Sequence, residues 1–297
     1  MPNNQPGNYN LIPEAALLAP LPSHIRRRFM QALELMHQGL ALQLTWEQIA
    51  RQSAISPSHF HRQFKALFNE TPGHYLSRLR LQFATEQLLR FPEQSITDIA
   101  HKSGFSESQA LAKALKRTLG HTAKAIKQMA THATPQQTAD LMAKLAQPFM
   151  QGTMEQALAE NIPAELLWVS QRSAKILEVD NCDWQVLAEQ FGAGCASLMV
   201  LNPVNQLDLA WQHIDVRVCD LDAEACSHNF LLKEGFYLSA VVTLRSAVGY
   251  LAAVDGLFTI AMQRGLAIDS DGYFTEQLLA GSDEHGATLL FQLPIVD

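Results

Sequence analysis

The 297-residue chain has no apolar run approaching the roughly 18 residues that a membrane-spanning helix requires. Its N-terminus also has no basic stretch leading into an apolar core, so the chain is read as cytoplasmic, without membrane insertion or export. Cysteine is scarce. Cys182, Cys195, Cys219 and Cys226 contain no Cys-x-x-Cys pair, which argues against a zinc knuckle or a thiol redox motif and leaves them as buried thiols. The 11 histidines offer no pair at helical ligand spacing, and His59 and His61, two apart, point to different sides of a helix. No metal is expected. No Gly-x-Ser-x-Gly elbow or other triad can be read, so no catalytic residue and no cofactor are assigned, and an enzyme is not the expectation. Disorder is excluded as well, because 47% of residues are hydrophobic and no low-complexity tract occurs.

An overall positive charge is also missing, since the net charge is −7. That figure is an average over unlike parts. Residues 21–130 hold 15 basic and 7 acidic side chains, a net of +8, whereas residues 131–297 hold 7 basic and 21 acidic ones, a net of −14. A basic segment joined to an acidic one is a hint of nucleic-acid binding by the former. The length favours two domains. Residues 1–21, with Pro2, Pro6, Pro13 and Pro20, read as a loosely ordered arm. Residues 22–128 follow helical spacing, broken only at punctuating Gly and Pro, and residues 129–160 read as a helical linker. In residues 161–297 the period changes: 166–179, 197–204, 214–221, 236–244, 273–279 and 287–296 read as strands, and 183–191 and 247–265 as helices. The expected fold is thus multidomain, an all-α head followed by an α+β domain of two strand-helix-strand-strand repeats.

The basic segment repeats itself. Thr45-Trp46-Glu47-Gln48-Ile49-Ala50 is echoed by Ser95-Ile96-Thr97-Asp98-Ile99-Ala100, and one inserted residue later Phe60, Arg62, Phe64, Lys65 and Phe68 are matched by Leu111, Lys113, Leu115, Lys116 and Leu119. Each copy reads as a helix-turn-helix. In the first, Thr45 caps a helix with Gln48 three residues on, and Ser56 caps the next with Pro57 at its first position. In the second, Gly104 supplies the turn, and Ser106 with Gln109 forms a capping box. Phe60, Phe64 and Leu67, like Leu111, Leu115 and Leu119, form faces expected to bury. The opposite faces carry Ser58, His61, Arg62 and Lys65 in the first copy and Ser108, Gln109, Ala112, Lys113 and Lys116 in the second, and these together with His59 are the candidate DNA contacts. Arg and Gln carry the forked donors and amides that match guanine and adenine edges in the major groove, while Lys65 and Lys116 suit phosphate.

Residues 22–128 resemble the DNA-binding domain of the AraC/XylS family of transcription regulators. The resemblance rests on Ile49-Ala50, Ser56, Phe60, Arg62, Phe64-Lys65, Phe68, Pro72, Tyr75, Arg80, Ala84, Leu88-Leu89, Ile99-Ala100, Gly104-Phe105, Leu111, Lys116-Arg117 and Gly120. It implies two helix-turn-helix units joined by a long helix over about 72–90, which sets two recognition helices into successive major grooves of double-stranded DNA. The second unit departs from the family pattern, with Leu111 and Leu115 at usual aromatic positions and Ala123 at a usual proline.

The acidic domain is unsuited to phosphate and is expected to regulate. It resembles the GyrI-like effector-binding domain through Gly235-Phe236-Tyr237, the helix around Leu257, Phe274-Thr275-Glu276-Gln277-Leu278 and Leu293-Pro294-Ile295. Strand alternation puts Glu276 with Phe274, Leu278 and Ala280 on an apolar face, where a carboxylate is costly unless paired, protonated or awaiting a ligand. The resemblance implies that Glu276 faces a pocket for a cationic or polar effector, with Trp211, Tyr237 and Phe274 as candidate aromatic lining. Pairing of Glu276 with Arg245, or exposure on an edge strand, is the structural alternative. Two other readings of the whole remain open: a protein-interaction module, with RNA polymerase as a partner, and a hydrolase fused to a DNA-binding head.

Overall fold

The computed structural model describes residues 6–281 and 286–296, so the first five residues of the expected arm lie outside the described part. Two compact units emerge. One comprises residues 13–155, the other residues 1–12 together with 156–297. The helical unit is thus inserted after a short N-terminal segment of the second unit, rather than following a loose arm. That segment forms β1 (Asn8–Asn10), which adds in parallel to a sheet strand from the far end of the sequence, with Asn8 opposite Val241. Tyr9 donates to the Leu158 carbonyl at 2.9 Å and Leu11 is 1% exposed. Backbone pairing and apolar burial order a stretch that composition marks as loose.

The helical unit contains α1 (Pro13–Leu18), α2 (Ser23–Gln38), α3 (Trp46–Gln52), α4 (Pro57–Phe68), α5 (Pro72–Arg90), α6 (Ile96–Lys102), α7 (Ser108–Leu119), α8 (Ala123–His132) and α9 (Pro135–Ala143). A two-residue hairpin, β2 (Pro148–Phe149) with β3 (Gly152–Thr153), precedes α10 (Met154–Ala159), within which the unit boundary falls. The local signals act as the spacing predicts at α3: Thr45 Oγ1 accepts the Gln48 N–H at 3.3 Å, and Gln48 Oε1 accepts the Thr45 N–H at 2.8 Å. At α7 they do not. Its N-cap is Glu107, without a side-chain cap bond, so the expected Ser106–Gln109 box does not form.

Two cores divide this unit. Phe29, Phe60, Phe64, Phe68, Tyr75, Leu76 and Leu79 belong to the first, and Leu81, Ala84, Leu88, Leu111, Leu115 and Leu119 to the second. Helix α5 contributes to both, its N-terminal half to one and its C-terminal half to the other. Leu67 is half-buried, and Phe68 takes the fully buried place expected for it. Leu141 and Leu145 join the second core, so α9 packs as part of the helical unit where a linker is expected.

The second unit holds β4 (Glu165–Val169), β5 (Arg172–Leu177), α11 (Trp184–Phe191), β6 (Leu198–Pro203), β7 (Arg217–Asp220), β8 (Phe230–Leu232), β9 (Gly235–Leu244), α12 (Ala247–Gln263), β10 (Tyr273–Ala280) and β11 (Ala287–Ile295). Residues 166–179, expected as one strand, break into β4 and β5. Strands 1, 9, 11, 10, 6, 7, 5 and 8 run in that order across a mixed sheet, and β4 also pairs with β9. Outward from the central antiparallel β6–β10 pair the order is β6, β7, β5 on one side and β10, β11, β9 on the other. Helices α11 and α12 bury Leu187, Ala253, Leu257 and Ile260 on one face, against Val200, Leu238, Phe274 and Phe291. The N-terminal half of β5 leaves β7 to pair with β8, and a small cluster of Ala174, Met199, Leu201, Cys219 and Leu232 forms on the other face.

The two turns of the repeated motif differ in strain. Gly104 has φ +78°, and a Cβ there would lie 2.1 Å from the Leu40 carbonyl oxygen. Ala54, its counterpart, holds φ 54° with a side chain. Gly104→Ala is expected to cost about 2 kcal/mol or more, while Ala54→Gly is neutral or stabilising by up to about 1 kcal/mol, read from urea unfolding of the helical unit.

Two carboxyls give this unit opposite pH responses. Burial pushes Glu14 up, but the hydrogen bond and charge of His37 and the Tyr75 hydroxyl at 2.6 Å outweigh it and hold Glu14 at about 2. Its stabilisation is present above pH 4.5 and is lost as pH falls toward 2. Burial raises Glu155 to about 7, beside the Gln147 N–H. Here the folded chain keeps a proton that the unfolded chain releases, so stability falls as pH rises from 4.5 to 7. Glu155→Gln is expected to match the wild type in unfolding free energy, read from urea titrations, at pH 5 and to exceed it by about 2 kcal/mol at pH 8.

Candidate nucleic-acid interface and a recessed carboxylate

Helix α4 is pinned by a ladder of rings. Phe64 stacks on Phe68 at 4.1 Å, Phe60 meets Phe29 at 5.3 Å, and Tyr75 of α5 stands edge-on to Phe64 at 5.2 Å. With that face fixed inward, Ser58, Arg62 and Lys65 are exposed on the other. His59 and His61 are half-buried, and the His61 ring lies 5.4 Å from Trp46 of α3. Those two histidines therefore sit at the flank of the face rather than at its centre.

Helix α7 presents its own polar face. Leu111, Leu115 and Leu119 are buried, leaving Gln109, Ala112, Lys113 and Lys116 exposed and Ser108 half-buried. Lys116 Nζ donates to the Gly120 carbonyl at 2.9 Å, holding its charge at the helix C-terminus. Arg117, absent from the sequence-derived set, is exposed four residues beyond Lys113. That helical spacing is the signal by which it could have been included.

The loops that frame the two motifs are tied to α5. Arg80 Nη2 donates to the Leu44 carbonyl at 3.3 Å, and Arg78 holds Glu70 at 2.6 Å and the Leu145 carbonyl at 3.1 Å. These bonds fix the loop entering α3 and the segment after α9 to the same central helix.

In the second unit, Glu276 is 3% exposed on β10, a strand with neighbours on both sides, so the edge-strand alternative does not hold. Phe274 and Leu278 share its face, but a register shift between Leu278 and Ala280 takes Ala280 out of the alternation. Its carboxylate accepts from the Asn202 amide at 2.9 Å, the Tyr250 hydroxyl at 2.7 Å and the Trp184 indole at 3.3 Å. All three donors are uncharged. Burial raises the Glu276 pKa, and the three hydrogen bonds pull it back in part. The same burial, with Glu276 close by, drives the Tyr250 hydroxyl well up. Cys182 also feels this carboxylate. It lines an open groove of about 480 Å³ with Val179, Val216 and Val218.

Of the aromatic residues expected around Glu276, Phe274 lies on its face, stacked with Phe291 at 5.9 Å. Tyr237 does not. In β9 it alternates with Leu238, which belongs to the helix-covered core, and so lies on the opposite face of the sheet. None of the three hydrogen bonds comes from Trp211, which occupies the turn Trp211–His213. Asn202, Tyr250 and Trp184 take these places, coming from β6, α12 and α11.

No described helix is long and apolar enough to cross a membrane. Residues 49–129 match the family model described as a helix-turn-helix domain. Over 101 residues the chain is 35% identical to the HTH-type transcriptional activator RhaS of Klebsiella pneumoniae (strain 342), covering 34% of this chain and 36% of that protein. RhaS of Escherichia coli O139:H28 is 37% identical over 93 residues, covering 31% of this chain and 33% of its own. The chain thus spans about a third of the length of the curated relatives it matches. Among solved structures, a transcriptional regulator of Chromobacterium violaceum with an AraC-type DNA-binding domain shares 22% identity, covers 37% of this chain and 96% of its own, and has a TM-score of 0.33. The DNA-binding domain of AdpA in complex with a target DNA shares 26% identity over 33% of this chain and 86% of its own, with a TM-score of 0.31. The helical unit therefore contains, at residues 49–129, a region that matches a helix-turn-helix domain and is similar to about a third of the length of the RhaS activators.

Proposed function

We propose that the chain is a transcription regulator that reads double-stranded DNA with α4 and α7 and senses a small molecule at Glu276. The observation that carries the DNA half is the pair of recognition helices, each with its apolar stripe buried and a basic face exposed. Residues 13–155 hold 16 basic and 10 acidic side chains, and the remaining residues hold 6 and 19. Phosphate attraction favours the first unit and opposes the second. Arg62, exposed in mid-helix, is suited to a guanine edge, and Lys65, in the last turn, to a phosphate.

The sensing half rests on Glu276. A buried carboxyl with only neutral donors is satisfied but not charge-compensated, so a cationic ligand that takes the place of the Trp184 indole gains a full counter-charge. Its position on the central β6–β10 pair, where the two halves of the sheet meet, supports the GyrI-like reading. Coverage of that carboxylate by Trp184 also favours a second reading, in which the acidic unit is an interaction module that binds protein rather than ligand.

In anisotropy titrations, Arg62→Ala is expected to weaken a selected site by about 1–3 kcal/mol and relax one base preference. Lys65→Ala is expected to weaken specific and random DNA alike. Equal loss on both DNAs for Arg62→Ala would remove it from base reading. For the sensor, a thermal-shift screen of quaternary ammonium compounds is expected to raise the melting temperature of the wild type but not of Glu276→Gln, whose fold is checked by circular dichroism. Shifts that survive in Glu276→Gln would remove Glu276 from the sensing role, and shifts absent from the wild type would favour the interaction module.

A further inference from the structure

The sheet carries a second polar site on the face opposite Glu276. Ser239, Gln292 and Thr275 lie side by side across β9, β11 and β10, in register, and are 0%, 6% and 0% exposed. Gln292 Nε2 donates to Ser239 Oγ at 3.3 Å, and the Thr275 hydroxyl approaches Gln292 Oε1 at 3.5 Å. Arg172, at the start of β5, reaches onto this row: Nη1 donates to Gln292 Oε1 at 2.8 Å, and the guanidinium lies 5.6 Å from the centre of the Tyr237 ring.

The other edge of that guanidinium is unmatched. Nε and Nη2 are both shielded from solvent and have no hydrogen-bond partner within 3.5 Å; burial lowers the Arg172 pKa, and the nearby Tyr237 phenol offsets part of that as a neutral group, not as a counter-charge. Among the described residues Arg172 forms no salt bridge, and its neighbour Cys219, pushed up to about 11 by burial, is an uncharged thiol and supplies no counter-charge. Nε and Nη2 are the parallel pair that a planar carboxylate engages. Elsewhere the chain turns the same edge on a carboxylate, through a single oxygen: Arg78 Nε and Nη2 both donate to Glu70 Oε1, and Arg217 Nε and Nη2 both donate to Asp215 Oδ2. Leu232 of β8, paired opposite Arg172, offers apolar surface beside the site.

We propose that Arg172, backed by Gln292, Thr275 and Ser239, binds the carboxylate of a small organic monocarboxylic acid on the sheet face opposite Glu276. The acid takes the Nε–Nη2 edge of the guanidinium. Entry involves the short β5–β8 flap, in which β8 pairs with β5 over three residues only.

The full chain is titrated with sodium benzoate and sodium butyrate, against chloride and inorganic phosphate at matched ionic strength, by thermal shift and calorimetry. A saturable stabilisation by the carboxylates, weaker or absent with phosphate, is expected for the wild type. Arg172→Met should weaken carboxylate binding at least about tenfold, the factor that corresponds to 1.4 kcal/mol, while melting no lower than the wild type without ligand. Arg172→Lys keeps a charge but loses the fork, so it should fold and lose the same binding. Glu276→Gln should retain it, which separates this site from the sensor proposed above. The assignment is overturned if no carboxylate stabilises the wild type, if phosphate does so equally, if Arg172→Lys binds like the wild type, or if Glu276→Gln abolishes binding.

Discussion

Helix α5 is the element on which the helical unit depends. Tyr75, Leu76 and Leu79 are interior to one helix-turn-helix core and Leu81, Ala84 and Leu88 to the other, so a single rigid rod belongs to both. Because a helix kinks sharply only at features such as an interior proline, and the one proline of α5 stands at its first position, the offset between the two cores is held within narrow limits. Arg78 and Arg80 add side-chain ties from that rod to neighbouring loops. The exposed polar faces of α4 and α7 are thereby carried on cores that share one helix.

The second unit manages its polar groups differently on the two faces of one sheet. Beneath α11 and α12 a carboxylate is satisfied by an amide, a phenol and an indole, all three uncharged, and among the described residues it forms no salt bridge. On the far face a guanidinium is held over a row of neutral side chains and, among the described residues, forms no salt bridge with a carboxylate. Placed together the two charges would neutralise each other. Strand alternation keeps them apart, because Glu276 and Thr275, adjacent in sequence, point to opposite sides.

Much of the helical unit was legible because its determinants lie within one turn of each other. Thr45 and Gln48 are three residues apart, Pro57 and Pro72 stand at the first positions of α4 and α5, and the stripe of Leu111, Leu115 and Leu119 repeats every four residues. Where the local signal was weak, it misled: Ser106 lies one residue before the N-cap that Glu107 provides without a side-chain bond. The N-terminal strand was not legible, since three residues of Asn-Tyr-Asn have no pattern of their own and are ordered by β9, more than two hundred positions away. The role of α9 was hidden for the same reason, its Leu141 finding its partners in the second core.

The site in the α+β unit divides along the same line. Alternation along 273–279 was enough to place Glu276 on the apolar face, because direction along a strand is a local property. Its partners come from 26, 74 and 92 residues away, and only the closed sheet and its two helices bring Tyr250, Asn202 and Trp184 to one carboxylate. The sequence by itself determined the helix-turn-helix repeat, the opposed charges of the two parts and the facing of Glu276, all functions of near neighbours or of composition. The tertiary structure decided the insertion of the helical unit behind β1, the separation of Tyr237 from Glu276 and the unmatched edge of Arg172. Each of these depends on which distant strands become neighbours, a pairing that only the global burial of apolar surface selects.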